Sequence, residues 1–191
     1  MIYRARAMCF VYVVILAVLS ARTAAAQKVY INSEFGIRVP VPNQGFLCPT
    51  LKDERDHGFG ILLGGGSPKD CHEDAHHRSI WLFAFFNALD ETKHLSGLLK
   101  MGCDAGGGTC RAGPSDLKLP GLQSAVGRVD GPDRWIVIVV ATQAGMPDVF
   151  DPNEPSVNYL FSLHTSPDHL NQDLQVFRTI LETVKLGTSK Q

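Results

Sequence analysis

The densest run of ligand-type side chains among the 191 residues is Lys69-Asp-Cys-His-Glu-Asp-Ala-His-His-Arg78. If its core is one helical turn, His72 and His76 stand at i and i+4, a spacing that lets two imidazoles share a metal ion. His57 is the candidate third ligand. Imidazole serves Zn2+, Cu2+ and Ni2+ alike, so the pattern selects no single ion. The letters His72-Glu73-Asp74-Ala75-His76 also match His-Glu-x-x-His, in which the glutamate is the general base of a zinc hydrolase. That motif works inside a long apolar-faced helix. Here the run is polar, contains a cysteine expected to be crosslinked, and leads within a few residues into a strand. The plainer reading is a solvated turn before a buried strand; a metal-binding protein is the alternative and a metal-dependent hydrolase a second one.

Other catalytic patterns are missing. Gly64-Gly65-Gly66-Ser67-Pro68-Lys69 lacks the Gly-Lys-Ser/Thr ending of a phosphate loop and reads as a flexible connector. There is no Gly-x-Ser-x-Gly nucleophile elbow. His94 and His164 read as structural histidines, and Trp81 and Trp135, in apolar strands, as core residues. No catalytic residue and no resident cofactor is expected.

The N-terminus reads as an address. Arg4 and Arg6 precede an apolar run from Met8 to Leu19, too short to span a bilayer, and Ala24-Ala25-Ala26 meets the small-x-small cleavage rule. Residues 1–26 are therefore expected to be a signal peptide, with Gln27 opening a single mature domain over 27–191 that is exported to the periplasm or beyond and not stably inserted in a membrane. The leader carries three of the 18 basic side chains and none of the 19 acidic ones, so cleavage shifts the formal charge from −1 to about −4. With no basic run, nucleic acid is a poor partner on electrostatic grounds.

Cleavage also discards Cys9 and leaves Cys48, Cys71, Cys103 and Cys110. An even count in an exported chain argues for two disulfides. The four allow three pairings. The sequential one, Cys48–Cys71 with Cys103–Cys110, is favoured because Cys103-Asp-Ala-Gly-Gly-Gly-Thr-Cys110 is a small glycine-rich loop that can double back. By chain entropy the small ring contributes about 2–3 kcal/mol and the larger roughly 3–4.

The elements that must hold these residues follow from periodicity. Strands are expected at 28–32, 35–39, 58–63, 79–86, 122–129, 134–141 and 157–164, with 45–56 as loop. Asp130-Gly131-Pro132-Asp133 should turn 122–129 and 134–141 into a hairpin. The near-continuous apolar runs 79–86 and 134–141 read as central strands covered on both faces. Helices are expected over 87–101 and, after a cap at Thr165 or Ser166, over a stripe of Leu170, Leu174, Phe177, Ile180, Leu181 and Val184. Strands arriving in runs define an α+β fold, a mainly antiparallel sheet with helices packed on it. The opening Tyr30-Ile-Asn-Ser-Glu-Phe-Gly-Ile-Arg-Val-Pro40 and the closing Phe177…Ile180-Leu-Glu-Thr-Val-Lys-Leu186 resemble the two ends of PsbP-like domains. That resemblance implies a sandwich that serves as a binding or assembly accessory. No functional residue carries over from it.

The composite expectation is a disulfide-braced, non-enzymatic binding protein whose partner is another exported or periplasmic protein, in an accessory, inhibitor or immunity role. Export with cleavage after Ala26 predicts that the mature product begins at Gln27. N-terminal mass spectrometry of the exported protein checks this, and a product retaining Arg22 refutes it.

Overall fold

A computed structural model describes residues 28–48, 57–71, 78–86, 94–144 and 156–187. Strands β1 (Val29–Asn32), β2 (Ile37–Pro40), β3 (Phe46–Cys48), β4 (Gly58–Leu62) and β5 (Ser79–Phe86) come first. Helix α1 (Leu95–Ala105) follows, and then β6 (Arg111–Ala112), β7 (Ser124–Asp130), β8 (Trp135–Ala144) and β9 (Ser156–Thr165). Helix α2 (Leu170–Thr183) and β10 (Lys185–Leu186) close the chain. All pairings are antiparallel. They build one sheet in the order β3-β4-β5-β9-β8-β7-β6 and a small one in the order β1-β2-β10. This is the α+β class expected from the sequence, and the expected hairpin of β7 and β8 is present.

The large sheet has two chemically different faces because side chains alternate along each strand. On one face Ile61, Ile80, Leu82, Val139, Tyr159, Phe161 and Leu163 meet the small sheet and α2. The small sheet contributes Phe35, Ile37 and Val39, and α2 contributes Phe177, Ile180 and Leu181. Burial raises the Tyr159 phenol to about 12, so its hydroxyl stays protonated and donates to the Phe35 carbonyl (3.0 Å). That bond fixes the β1–β2 turn over the core.

The opposite face is covered by α1. Its residues Leu95, Leu98, Leu99, Gly102 and Cys103 follow i, i+3, i+4, i+7, i+8, the spacing of one helical stripe. They pack on Val129, Ile136, Ile138, Val140 and Leu160. Gly102 permits the close approach: a Cβ there would sit 3.0 Å from Leu160 and 3.1 Å from Ile138.

Several boundaries differ from expectation for identifiable reasons. Residues 46–48, assigned to loop, form β3, whose pairing with β4 is a tertiary contact that three residues do not announce. The two-residue strands β6 and β10 escaped notice on the same ground. Helix α1 runs past Met101 to Ala105, so Cys103 lies in its last turn, and His94 is its N-cap instead of a mid-helix residue. Ser166 makes no capping bond; its hydroxyl meets His169 Nδ1 at 3.0 Å, and Pro167–His169 forms a 3-10 turn before α2. Neither Trp81 nor Trp135 is fully buried, and Phe83 on β5 is 47% exposed. Among the described residues, β5 is central in the sheet but covered on one face only.

The disulfides join Cys48 to Cys71 and Cys103 to Cys110, the sequential pairing. One ties β3 to the segment before β5; the other ties the last turn of α1 to the residue before β6.

A buried ion cluster joins β5, β9 and α2. Asp173 of α2 is fully buried and accepts from Arg78 Nε (2.8 Å), from a second Arg78 nitrogen, and from Thr165 Oγ1 (2.6 Å). The carboxylate hydrogen bonds raise the Arg78 pKa. Removing one partner of such a pair strands the other charge. Asp173→Ala is therefore expected to cost about 3–5 kcal/mol in chemical denaturation, with Asp173→Asn intermediate. A loss under about 1 kcal/mol for the alanine variant would refute the assignment.

A candidate binding cleft on the open face of the sheet

Register decides what the α1 face presents. Gly60, Trp81, Ser162 and Ile138 lie in one row across β4, β5, β9 and β8; Gly58, Phe83, Leu160 and Val140 lie in the next. Ser79, His164 and Ile136 form a third. Helix α1 packs against β7, β8 and the near edge of β9. The β5 side is left to its aromatic residues. Trp81 stacks on Phe83 with ring centroids 6.4 Å apart and donates from its indole N–H to Ser79 Oγ (2.9 Å). Its ring lies across Gly60, where a Cβ would come within 2.4 Å of it.

Between α1 and β5 lies a cleft of about 450 Å3. Phe83, Phe85, Met101, Ala105, Ile136 and Leu160 make its walls, and Ser162 and His164 are its polar residues. An apolar cleft with a few convergent polar groups has the composition of a ligand pocket. Beyond the end of α1 a second cavity of about 620 Å3 is lined by Arg78, Asp130, Asp133, Arg134, Thr165, Ser166 and His169. Gly106 and Ile136 line both spaces.

His164 is pushed down to about 4, chiefly by burial and in addition by the positive charge of Arg134. It is therefore neutral at pH 7. Its Nε2 lies 3.2 Å from Ser162 Oγ. A serine beside a histidine invites a nucleophilic reading, but the base in such pairs is oriented by a third group, normally a carboxylate. Among the described residues no carboxylate hydrogen-bonds His164, and the neighbouring charge is a cation, which opposes the imidazolium that general-base catalysis would create. The pair is suited to hydrogen bonding with a ligand.

Of the metal candidates, His72 and His76 lie outside the described residues. His57 immediately precedes β4, its ring 5.8 Å from that of Phe35. Among the described residues no group of three or more His, Cys, Asp or Glu could hold a metal ion. The cleft itself was not anticipated, although one signal was present. In 157–164 the order Val-Asn-Tyr-Leu-Phe-Ser-Leu-His puts Val, Tyr, Phe and Leu on one face and Asn, Leu, Ser and His on the other. Such alternation marks a face that is not wholly apolar core.

The fold and site together define an antiparallel α+β domain with, among the described residues, one sheet face only half covered and an apolar cleft at its margin. No family model matches the chain, and no curated protein matches it. Among solved structures the chain is similar to LpqN, described as involved in cell envelope biogenesis of Mycobacterium tuberculosis. The two are 14% identical over 86% of this chain and 87% of that one, with a TM-score of 0.47.

The depressed His164 value has a consequence for acid stability. As pH falls from about 6.5 to about 4, the unfolded chain takes up this proton while the folded protein does not. Stability from this residue is therefore intact above about 6.5 and lost progressively down to about 4, by up to about 3 kcal/mol. Urea denaturation at pH 7 and pH 4.5 should show a smaller acid loss for His164→Gln than for the wild type. Equal losses would refute the assignment.

Proposed function

We propose that the chain is a non-enzymatic binding protein of an oxidising, extracytoplasmic compartment such as the periplasm, and that it binds through the cleft between α1 and β5. The observation that carries this reading is the sheet face that is half open among the described residues, with Phe83 47% exposed at the margin of an apolar cleft. Phe83 is not an isolated exposed residue but continues the apolar wall of the cleft, and contiguous exposed apolar surface marks ligand grooves and interaction sites. The neutral His164 beside Ser162 supplies hydrogen bonding without the machinery to activate a nucleophile. Two disulfides support the compartment. Among the described residues no helix is long and apolar enough to cross a membrane.

A protein partner of accessory, inhibitor or immunity type is supported by the Trp81–Phe83 stack on the rim, since interfaces are enriched in such aromatic anchors. In that reading the partner inserts an apolar side chain beside Phe83.

The cleft reading predicts saturable one-to-one binding of a neutral solvatochromic dye such as Nile red. Ala105→Trp, which fills the cleft from an exposed helix position, is expected to weaken it at least tenfold while leaving the circular dichroism spectrum unchanged. Unchanged dye binding in that folded variant would refute the cleft as the site.

A further inference from the structure

The cleft is long as well as apolar. Register sets Phe85 opposite Asn158, Phe83 opposite Leu160, Trp81 opposite Ser162 and Ser79 opposite His164. Phe85 and His164 both line the cleft, so it runs for three two-residue steps along the paired strands β5 and β9, roughly 20 Å. Polarity is graded along that length. Phe83, Phe85 and Leu160 line one end; Ser162 and His164 line the other, beside Ile136 and the last turn of α1.

The polar end offers hydrogen bonds without a charge. Among the described residues, no Asp, Glu, Lys or Arg lines the cleft. His164 is neutral at pH 7, its pKa lowered to about 4 chiefly by burial. The contact between Ser162 Oγ and His164 Nε2 (3.2 Å) uses one hydrogen and one lone pair. A hydroxyl carries one donor and two acceptor sites, so Ser162 keeps capacity for a ligand whichever partner donates. The adjoining cavity favours neither sign of charge, since Arg78 and Arg134 share it with Asp130 and Asp133. An ionised head would lose hydration in the cleft without gaining a counter-ion there. That costs far more than desolvating a hydroxyl or carbonyl that finds a hydrogen bond.

We propose that the cleft takes a slender, uncharged molecule, an extended alkyl chain ending in a hydroxyl or an ester carbonyl. The chain lies against Phe83, Phe85 and Leu160, and the head hydrogen-bonds to Ser162 and His164. The proposal rests on the cleft being a binding site, and it adds the chemistry of the occupant.

Displacement of Nile red from the mature protein at neutral pH, below micellar concentrations, tests it. The four probes are 1-decanol, methyl decanoate, decanoate and decyltrimethylammonium. At least one uncharged probe should bind about tenfold more tightly than either ion, and the tighter of the two identifies the head. The double variant Ser162→Ala/His164→Leu removes both hydrogen-bonding partners and so strands neither. It should weaken the preferred probe about fivefold. Across homologues of that probe, affinity should rise about fourfold per methylene in the wild type and in the double variant alike. Either ion binding as tightly as the uncharged probes overturns the proposal. So does a preferred probe that is indifferent to the double variant or to chain length. If no probe displaces bound Nile red, this proposal fails and the binding reading stands. If Nile red itself does not bind, both fail.

Discussion

One α-helix about 10 Å across cannot cover a seven-stranded sheet whose strands, spaced about 4.8 Å, span roughly 29 Å. The rest of this architecture follows from that mismatch. On one face the chain solves it by combining α2 with a three-stranded sheet, and Phe35, Ile37, Val39, Phe177 and Ile180 close the core. On the other face, among the described residues, α1 stands alone. It is seated over β7 and β8 by its leucine stripe and by Gly102, so it does not itself reach over β5. The cleft is where the helix runs out of width.

The fold's braces lie around this margin. The Cys48–Cys71 bridge secures β3 to the segment that enters β5, and Cys103–Cys110 anchors the last turn of α1 to the strand beyond it. The Arg78–Asp173–Thr165 cluster ties the start of β5 to α2 and to the end of β9. A buried carboxylate with three donors is costly to desolvate but more costly to strand, so it specifies how α2 sits more than it adds net stability. The uncovered face is thus held by elements that do not depend on what occupies it.

Much of the fold was legible because it is written in local periodicity. The 2-residue alternation of β2, the apolar run of β8 and the stripe of α2 each placed an element within a few residues of its final bounds. The α+β class followed from their order. The strands that escaped notice, β3, β6 and β10, have three residues or fewer and exist because a neighbour offers a free edge. Asp173 escaped for a related reason. It sits in the apolar stripe of α2 as a polar residue, and only the arrival of Arg78, 95 positions away in sequence, makes its burial tolerable.

By itself the sequence determined the class of fold, the central strands, the two helices and, through an even set of four cysteines after the expected cleavage, the presence of crosslinks. These are properties of neighbouring residues, and hydrophobic spacing encodes them directly. Tertiary structure alone decided that, among the described residues, Ser79-Ile-Trp-Leu-Phe-Ala-Phe-Phe86 is covered on one face instead of two, because its run of apolar residues reads the same in either case. It also decided that Ser162 and His164 of β9, Ile136 of β8 and Phe83 of β5 converge beside Met101. Their meeting depends on the register of three strands and the lateral seat of one helix, distances that no spacing along the chain records.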